Sequence, residues 1–223
     1  MQAEIIRDIR KQCRLAMNGV ASTSMREKGM SYKINFGLMV PQIKELATRY
    51  TPDVDLAESL WKEDTRELKI LATLLYPVNS FTRDIANKWV LEIPNQEIRE
   101  QLCLNLLQNL SYANEIAGEW GNSEDESIRI TGYWLIARLF VVKKAEDLTS
   151  DDFNMICEDA ISENTFLRNA ALLALKHIGR QSKEEANEIL AKLSIYKDDD
   201  DLIKQEAYNS LLFEFEYYFP EPL

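Results

Sequence analysis

Basic side chains recur along this chain at nearly regular intervals, each near the start of an apolar segment. Arg66, Arg99, Arg129, Arg168 and Lys204 follow one another at steps of 33, 30, 39 and 36 residues. A period of roughly 20–50 residues indicates stacked helical repeats, in which equivalent residues lie along one surface. Cations in such a row could each contact a phosphate of nucleic acid. The residues predicted to do so are Arg66, Lys69, Arg99, Arg129, Arg168 and Lys204.

A second role is open to the same cations. They could form ion pairs with carboxylates of the neighbouring repeat, because the chain has 37 acidic residues against 26 basic ones. Its net charge of −11 argues against non-specific coating of DNA or of acidic membranes. A local basic groove is compatible with that charge, since salt screens charges that lie more than about 10 Å apart.

Residues that suit metal or nucleophile chemistry are sparse. Cys13, Cys103 and Cys157 are scattered and odd in number, which is typical of reduced thiols packed as small apolar side chains. His177 is the single histidine, so a zinc cluster is not expected. The motifs GxxxxGK[ST], GxGxxG and GxSxG are absent. The sequence therefore predicts neither a cofactor nor a metal site.

Helices must position these residues, because the chain is poor in turn formers. It has 7 glycines and 6 prolines in 223 residues, and no segment alternates as a strand does. Apolar residues such as Leu68, Leu71, Ala72 and Leu75 share one helical face. The pattern predicts helices over 2–18, 22–29, 41–50, 54–63, 65–76, 80–92, 95–109, 111–119, 124–142, 150–161, 164–178, 182–194 and 199–217.

These helices predict an all-α fold, an α-solenoid of stacked antiparallel helix pairs. One repeat domain is expected over 1–223, with an N-terminal helical cap over 1–50, repeats over 51–217 and a tail over 218–223. No apolar run approaches the roughly 20 residues that cross a bilayer. The charged segment 1–17 lacks the apolar centre of a signal peptide. A cytoplasmic protein without membrane contact is therefore expected.

Two segments resemble the AlkD-type DNA alkylation repair family. Residues 35–47, NFGLMVPQIKELA, are similar to its aromatic–Gly–aliphatic turn, which is followed by a proline and a helix with basic and Leu-Ala positions. Residues 60–72, LWKEDTRELKILA, resemble the element that comes next. As a looser pattern the resemblance extends over roughly residues 1–210. It implies a HEAT-like repeat fold, a right-handed superhelix whose basic concave face cradles duplex DNA.

The resemblance also implies a chemistry. Active members of that family excise N3- and N7-alkylated purines with neither a metal nor a nucleotide, using a carboxylate and flanking tryptophans on the concave surface. An alkylated purine already carries a positive charge and leaves readily. The protein's task is then to stabilise an oxocarbenium-like sugar with a nearby anion and aromatic faces. The implied partner is duplex DNA, alkylated in the case of an active enzyme.

The segment that matches the family's catalytic residues departs from the family pattern. That pattern reads Trp-Asp, two variable residues and the key Asp, and the alignment places Leu110 at the tryptophan and Asn114 at the key carboxylate. Asparagine carries no charge, so this alignment implies lost or altered activity. With a shift of one residue, Glu115 becomes the carboxylate and Tyr112 its aromatic neighbour, which implies an active DNA N-glycosylase. Asn114, Glu115 and Tyr112 are therefore the catalytic candidates.

Two functions stay open at this point. The family resemblance and the periodic cations favour a DNA-binding protein of the alkylation repair type, with its glycosylase activity weak, altered or absent. The acidic composition favours a helical-repeat adaptor that binds a protein or peptide partner. Helical repeats serve both uses, so the fold alone does not decide between them.

Overall fold

A computed structural model describes residues 2–145 and 148–219. Within these ranges the chain forms thirteen α-helices, and its one β-type pairing is an isolated bridge between Ile34 and Thr65. Short 3₁₀ turns lie at Val78–Ser80, Leu107–Asn109, Ser150–Asp152 and Ser194–Tyr196. The helices are α1 (Gln2–Leu15), α2 (Gly19–Glu27), α3 (Val40–Ala47), α4 (Val54–Trp61), α5 (Arg66–Leu75), α6 (Arg83–Leu91), α7 (Gln96–Asn105), α8 (Ala113–Gly121), α9 (Glu126–Val141), α10 (Ile156–Asp159), α11 (Thr165–Gly179), α12 (Lys183–Leu193) and α13 (Leu202–Tyr218).

The helices pack as repeats in two compact units, which divide between Leu110 and Ser111. In the first unit α4 packs on α5, and α5 packs on α7. In the second unit α8 packs on α9, while α11 packs on both α9 and α13. This arrangement confirms the predicted all-α helical-repeat fold. The single domain predicted over 1–223 stays a prediction. Of its predicted tail, Tyr218 belongs to α13, and residues 220–223 lie outside the described residues.

Short polar side chains set where most of these helices begin. A side-chain oxygen of each capping residue accepts a hydrogen bond from a first-turn amide, which has no partner within the helix. Each such cap contributes about 1 kcal/mol to helix stability. The capping residues are Asn18, Asp53, Thr82, Asn95, Asp125, Asn164, Ser182 and Asp201.

One predicted helix is much shorter than expected. The spacing predicts a helix over 150–161, but α10 covers only a third of that range, Ile156–Asp159. Side chains from elsewhere in the second unit bind the backbone of this segment. The amide of Ser150 donates to Glu185 at 2.8 Å, and the amide of Asn154 donates to Asn122 at 3.0 Å. These tertiary hydrogen bonds replace the helical ones, so the segment begins as a 3₁₀ turn.

A turn at Gly37 joins the N-terminal helices of the first unit to α5. Gly37 has φ of +76°, and a Cβ atom there would lie 2.2 Å from the carbonyl oxygen of Asn18. The buried carboxylate of Glu67 accepts the amides of Phe36 and Leu38, at 3.1 and 3.2 Å. Position 37 therefore requires glycine because of its backbone geometry. Position 67 requires a carboxylate because two buried amides donate to it.

Two tryptophans connect successive repeats in the first unit. The rings of Trp61 and Trp89 stack with centroids 4.0 Å apart and planes 5° from parallel. Each indole N–H donates to a carboxylate of the other repeat. Trp61 donates to Glu92 at 2.8 Å and Trp89 donates to Glu58 at 3.0 Å. Both donor–acceptor pairs are 31 residues apart in the sequence, so each hydrogen bond joins neighbouring repeats.

In the second unit, α8 and α9 approach each other closely at a glycine. A Cβ atom on Gly132 would lie 2.4 Å from the amide nitrogen of Gly121. With no side chain at either position, the two backbones come into contact, and most of α9 is buried. The C-terminal end of α8 therefore lies directly against α9.

Candidate nucleic-acid interface

One basic position recurs in four helices. Lys69, Arg99, Arg129 and Arg168 are the fourth residues of α5, α7, α9 and α11, at steps of 30, 30 and 39 residues. The backbone amide of each donates to the carbonyl of its helix's N-cap residue, with N···O distances of 3.0, 3.2, 2.9 and 2.9 Å. These four residues, which we call the repeat cations, are structurally equivalent.

Two other predicted cations lie outside this series. Arg66 is the first residue of α5, three residues before the equivalent position. Lys204 is the third residue of α13, whose fourth residue is Gln205. The steps of 33 and 36 residues counted from the sequence therefore joined positions that are not equivalent. The sequence alone could not correct them, because the helix starts that define the series were not fixed.

Three of the repeat cations bind carbonyl groups at or just beyond the end of the preceding helix. The ammonium of Lys69 donates to the carbonyl of Trp61 at 2.6 Å, and the guanidinium of Arg129 donates to that of Ser123 at 2.8 Å. Arg168 donates to the carbonyl of Ser162. The last carbonyls of a helix lack a partner within the helix, so a cation placed there satisfies them and opposes the helix dipole. Within each repeat the cation thus ties the second helix to the end of the first.

Arg66 lies at the centre of a buried network and exposes only 1% of its surface. Its guanidinium binds Glu97 through Nε at 2.9 Å and Nη2 at 2.7 Å, and donates to the carbonyl of Leu38 at 2.6 Å. Glu67 lies 3.2 Å from Nη1. Burial lowers the pKa of Arg66, but the hydrogen bonds and charges of Glu97 and Glu67 outweigh it and raise the pKa above its usual value.

Arg129 makes a similar pair in the second unit. It exposes 6% of its surface, and its Nε and Nη2 bind the two oxygens of Asp159 at 2.8 and 3.0 Å. The hydroxyl of Tyr133 donates to the same carboxylate at 2.7 Å. The hydrogen bond to Asp159 raises the pKa of Arg129, while burial opposes the shift. Arg66 and Arg129 therefore form ion pairs between repeats. Such pairing is the second of the two roles that the sequence allowed for these cations.

The other predicted cations also have partners in the protein. Arg99 exposes 6% of its surface and donates to Gln96 at 2.8 Å, and burial lowers its pKa. Lys69 is half-buried, and its ammonium lies 4.9 Å from the centroid of the Trp61 ring. Lys204 is half-buried and lies 4.0 Å from Asp199. Contact between phosphate and any of the six predicted cations stays a prediction.

The three catalytic candidates lie together at the start of α8. Tyr112 is the half-buried N-cap residue, and Asn114 and Glu115 are the second and third residues of the helix. Asn114 donates from Nδ2 to the carbonyl of Lys144 at 3.0 Å, whereas Glu115 is exposed. Adjacent helical residues point about 100° apart, so Asn114 and Glu115 face different directions. Leu110, aligned with the family's tryptophan, is buried.

Most of the exposed Lys and Arg residues in the described part of the chain lie within residues 1–50, which contain none of the six predicted phosphate contacts. Residues 1–50 contain nine Lys and Arg against four Asp and Glu. Residues 111–223 contain 11 basic residues against 23 acidic ones. A count by segment would have detected this asymmetry, which the whole-chain net charge conceals.

The described residues contain neither a metal cluster nor a membrane-spanning helix. In residues 2–145 and 148–219, no group of three or more His, Cys, Asp and Glu side chains is placed to hold a metal ion. No helix in those same ranges combines the length and the apolar character that crossing a membrane requires.

Comparison with known proteins identifies the family. The sequence matches the family model described as DNA alkylation repair enzyme over residues 18–211, most of the chain. The fold is similar to a solved structure described as "a new family of proteins related to the HEAT-like repeat DNA glycosylases with affinity for branched DNA structures". That match has a TM-score of 0.73, 12% identity, and covers 95% of this chain and 94% of the other. No curated protein sequence matches the chain. As the segments 35–47 and 60–72 predicted, the chain belongs to the DNA alkylation repair enzyme family, and its fold is of the HEAT-like repeat type.

Proposed function

We propose that this protein binds DNA through the phosphate backbone and has lost the glycosylase activity of its family. Membership of the family supports a DNA partner. The structural relative, described as having affinity for branched DNA, supports a mode of binding that does not depend on a damaged base. The observation that carries the loss of catalysis is the hydrogen bond from Asn114 to the carbonyl of Lys144.

That hydrogen bond requires a donor at position 114. The amide of Asn114 supplies one and ties the start of α8 to the turn after α9, in which Lys143 has φ of +56°. An aspartate there would place a carboxylate oxygen against the carbonyl oxygen, and the contact would become repulsive. The side chain at the aligned catalytic position therefore has a structural role, and it brings no anion to a developing oxocarbenium ion.

Glu115 is a poor substitute for the missing carboxylate. It is exposed, and in water an anion 4 Å from a cation contributes only about 1 kcal/mol. Enzymes lower activation barriers by about 8–23 kcal/mol, largely with charges held in sites from which water is excluded. An exposed glutamate beside a structural asparagine therefore supports binding without base excision.

The test combines two assays on the purified protein. Binding to plain duplex, alkylated duplex and a four-way junction is measured between about 50 and 200 mM salt, and release of methylated purine is measured on the alkylated duplex. We expect salt-sensitive binding and no release. Release that disappears in Glu115→Ala would contradict the proposal and make Glu115 the catalytic carboxylate.

A protein-binding adaptor is the second candidate, and the charge of the second unit favours it. With 23 acidic residues against 11 basic ones, residues 111–223 suit a basic peptide better than a polyanion. Absence of both DNA binding and purine release would make this candidate the better one. Binding of DNA in the salt-sensitive manner described above would leave it without support.

A further inference from the structure

An open cleft in the first unit combines basic side chains with a fixed floor. It has a volume of about 500 Å³ and lies between α1, the segment 33–36 and the turn 62–65 that follows α4. The two non-helical segments are held side by side by backbone hydrogen bonds. Ile34 donates to Asp64 and Arg66 donates to Ile34, both at 3.1 Å. These two segments therefore keep their spacing without a ligand.

Four cations line this cleft, and three of them have no acidic partner. Arg10 pairs with Glu63 at 2.6 Å. Arg14, Lys33 and Lys62 are exposed, and none of them forms an ion pair with any residue in the described ranges 2–145 and 148–219. The remaining carboxylate of the cleft is that of Asp64, whose negative charge interacts with Lys69. Burial lowers the pKa of Lys69, and the charge of Asp64 opposes that shift in part. A positive charge thus remains at the mouth of the cleft.

The position of the arginines on α1 makes this clustering unfavourable for the isolated protein. Arg10 and Arg14 are four residues apart, so their side chains lie on the same side of the helix. Like charges at that spacing destabilise a helix by a few tenths of a kcal/mol. The buried face of α1 is formed by Ile9 and Cys13, which fixes the arginines beside the core and toward the cleft. An anionic ligand would relieve the repulsion.

We propose that this cleft is the phosphate-binding site for the DNA backbone, an inference that rests on the proposed function. Guanidinium and ammonium groups from three chain segments can contact successive phosphates, whereas a site for a single free phosphate gathers its donors at one point. Ile34 is 42% exposed and, with Phe36, gives the floor apolar surface that suits deoxyribose. The basic excess of residues 1–50 steers a polyanion toward this unit and away from the acidic one.

The experiment compares two triple variants of the full chain. Arg14→Gln, Lys33→Gln and Lys62→Gln together remove the three unpaired cations of the cleft. The matched control, Arg26→Gln, Lys28→Gln and Lys44→Gln, removes three exposed cations of the same unit that lie outside the cleft. Both variants change the net charge equally, and none of the six residues is buried. Circular dichroism and thermal unfolding verify that both variants are folded.

We expect the cleft variant to bind duplex DNA at least tenfold more weakly than the control. Its slope of log affinity against log salt should be smaller by about 2–3, because each lost phosphate contact removes about 0.9 from the slope. Equal binding by the two variants would overturn the cleft as the site while leaving DNA binding intact. Absence of binding by the unmodified protein would instead overturn the proposed function, and the cleft with it.

Discussion

Arg66 illustrates how a side chain that suits phosphate can be fully occupied by the protein itself. Its residue type and helix-start position predicted a DNA contact, but its guanidinium is surrounded by Glu97, Glu67 and the carbonyl of Leu38. Guanidinium groups bind carboxylate and phosphate with the same geometry. The sequence therefore identified the chemistry of the position but not its partner, which lies 31 residues away in the next repeat.

Replacing Arg66 should therefore affect stability first. Arg66→Met keeps the length of the side chain but leaves Glu67 and Glu97 without their cation. Breaking a buried pair on one side costs about 3–5 kcal/mol. Urea unfolding should show a loss of that order, against a change within about 0.5 kcal/mol for the exposed Arg26→Met. A loss below about 1 kcal/mol would mean that the network is not important for the fold.

Asn114→Asp tests whether the catalytic position can be restored by charge alone. We expect no purine release and a loss of about 1 kcal/mol in stability, because the hydrogen bond to the carbonyl of Lys144 disappears. Asn209→Asp is a suitable control, since Asn209 is exposed and makes no side-chain hydrogen bond within residues 2–145 and 148–219. Purine release by Asn114→Asp would show that position 114 still faces a working site.

The single histidine provides a pH-dependent signal. Burial, with the positive charges of Arg180 and Arg138, lowers the pKa of His177, and Glu214 opposes the shift only in part. The unfolded chain, with a histidine pKa of about 6.5, then binds the proton more readily than the folded protein. The contribution of His177 to stability should be fully present above about pH 6.5 and fall as the pH decreases through the lower folded pKa.

NMR can follow this titration directly, because the chain has one imidazole. The expected midpoint lies below that of a histidine peptide measured under the same conditions. In His177→Gln, the dependence of stability on pH over the same range should become weaker. A midpoint at or above the peptide value would contradict the prediction.

At the scale of elements, the sequence predicted the helices well and their connections poorly. Thirteen helices were expected, and each has a counterpart, because N-cap residues and apolar spacing are local signals. The shortening of α10 depends on hydrogen bonds that the side chains of Glu185 and Asn122, distant in sequence, accept from backbone amides of this segment. The contacts of three repeat cations with carbonyls at or beyond the end of the preceding helix were missed for a related reason, since they require knowing where that helix ends.

The turn at Gly37 provides a sharp test at this scale. Gly37→Ala combines a positive φ with a Cβ contact of 2.2 Å to backbone, so the turn and the N-cap of α2 must move apart. We expect a loss of at least about 3 kcal/mol, or no folded protein at all. Gly19→Ala is the control, because a Cβ atom there meets nothing within 4 Å and Gly19 is the first residue of α2. Similar thermal stability of the two variants would contradict this account.

At the scale of the whole molecule, charge is divided very unevenly along the chain. Residues 1–110 carry 15 basic and 14 acidic residues, whereas residues 111–223 carry 11 and 23. The acidity that argued against DNA therefore comes from the second unit. Family membership could be inferred from residues 35–72, but the location of a DNA site could not, because the cleft depends on which exposed cations the fold brings together.

Binding through the phosphate backbone of DNA has a consequence for the choice between plain and alkylated DNA. Plain and alkylated duplexes carry the same phosphates, so we expect their affinities to agree within about twofold at equal salt, a difference of about 0.4 kcal/mol. Competition between the two duplexes for a labelled probe measures this ratio. A preference of tenfold or more for the alkylated duplex would indicate a pocket for the damaged base.

The stacked tryptophans also give the molecule an optical property. Trp61 and Trp89 lie face to face at 4.0 Å, close enough for their electronic transitions to couple. Their near-ultraviolet circular dichroism should then depend on how α4 sits against α6, independently of total helix content. A ligand or variant that shifts these two helices would change that band while the far-ultraviolet spectrum stays constant. The protein thus contains its own spectroscopic probe of contact between neighbouring repeats.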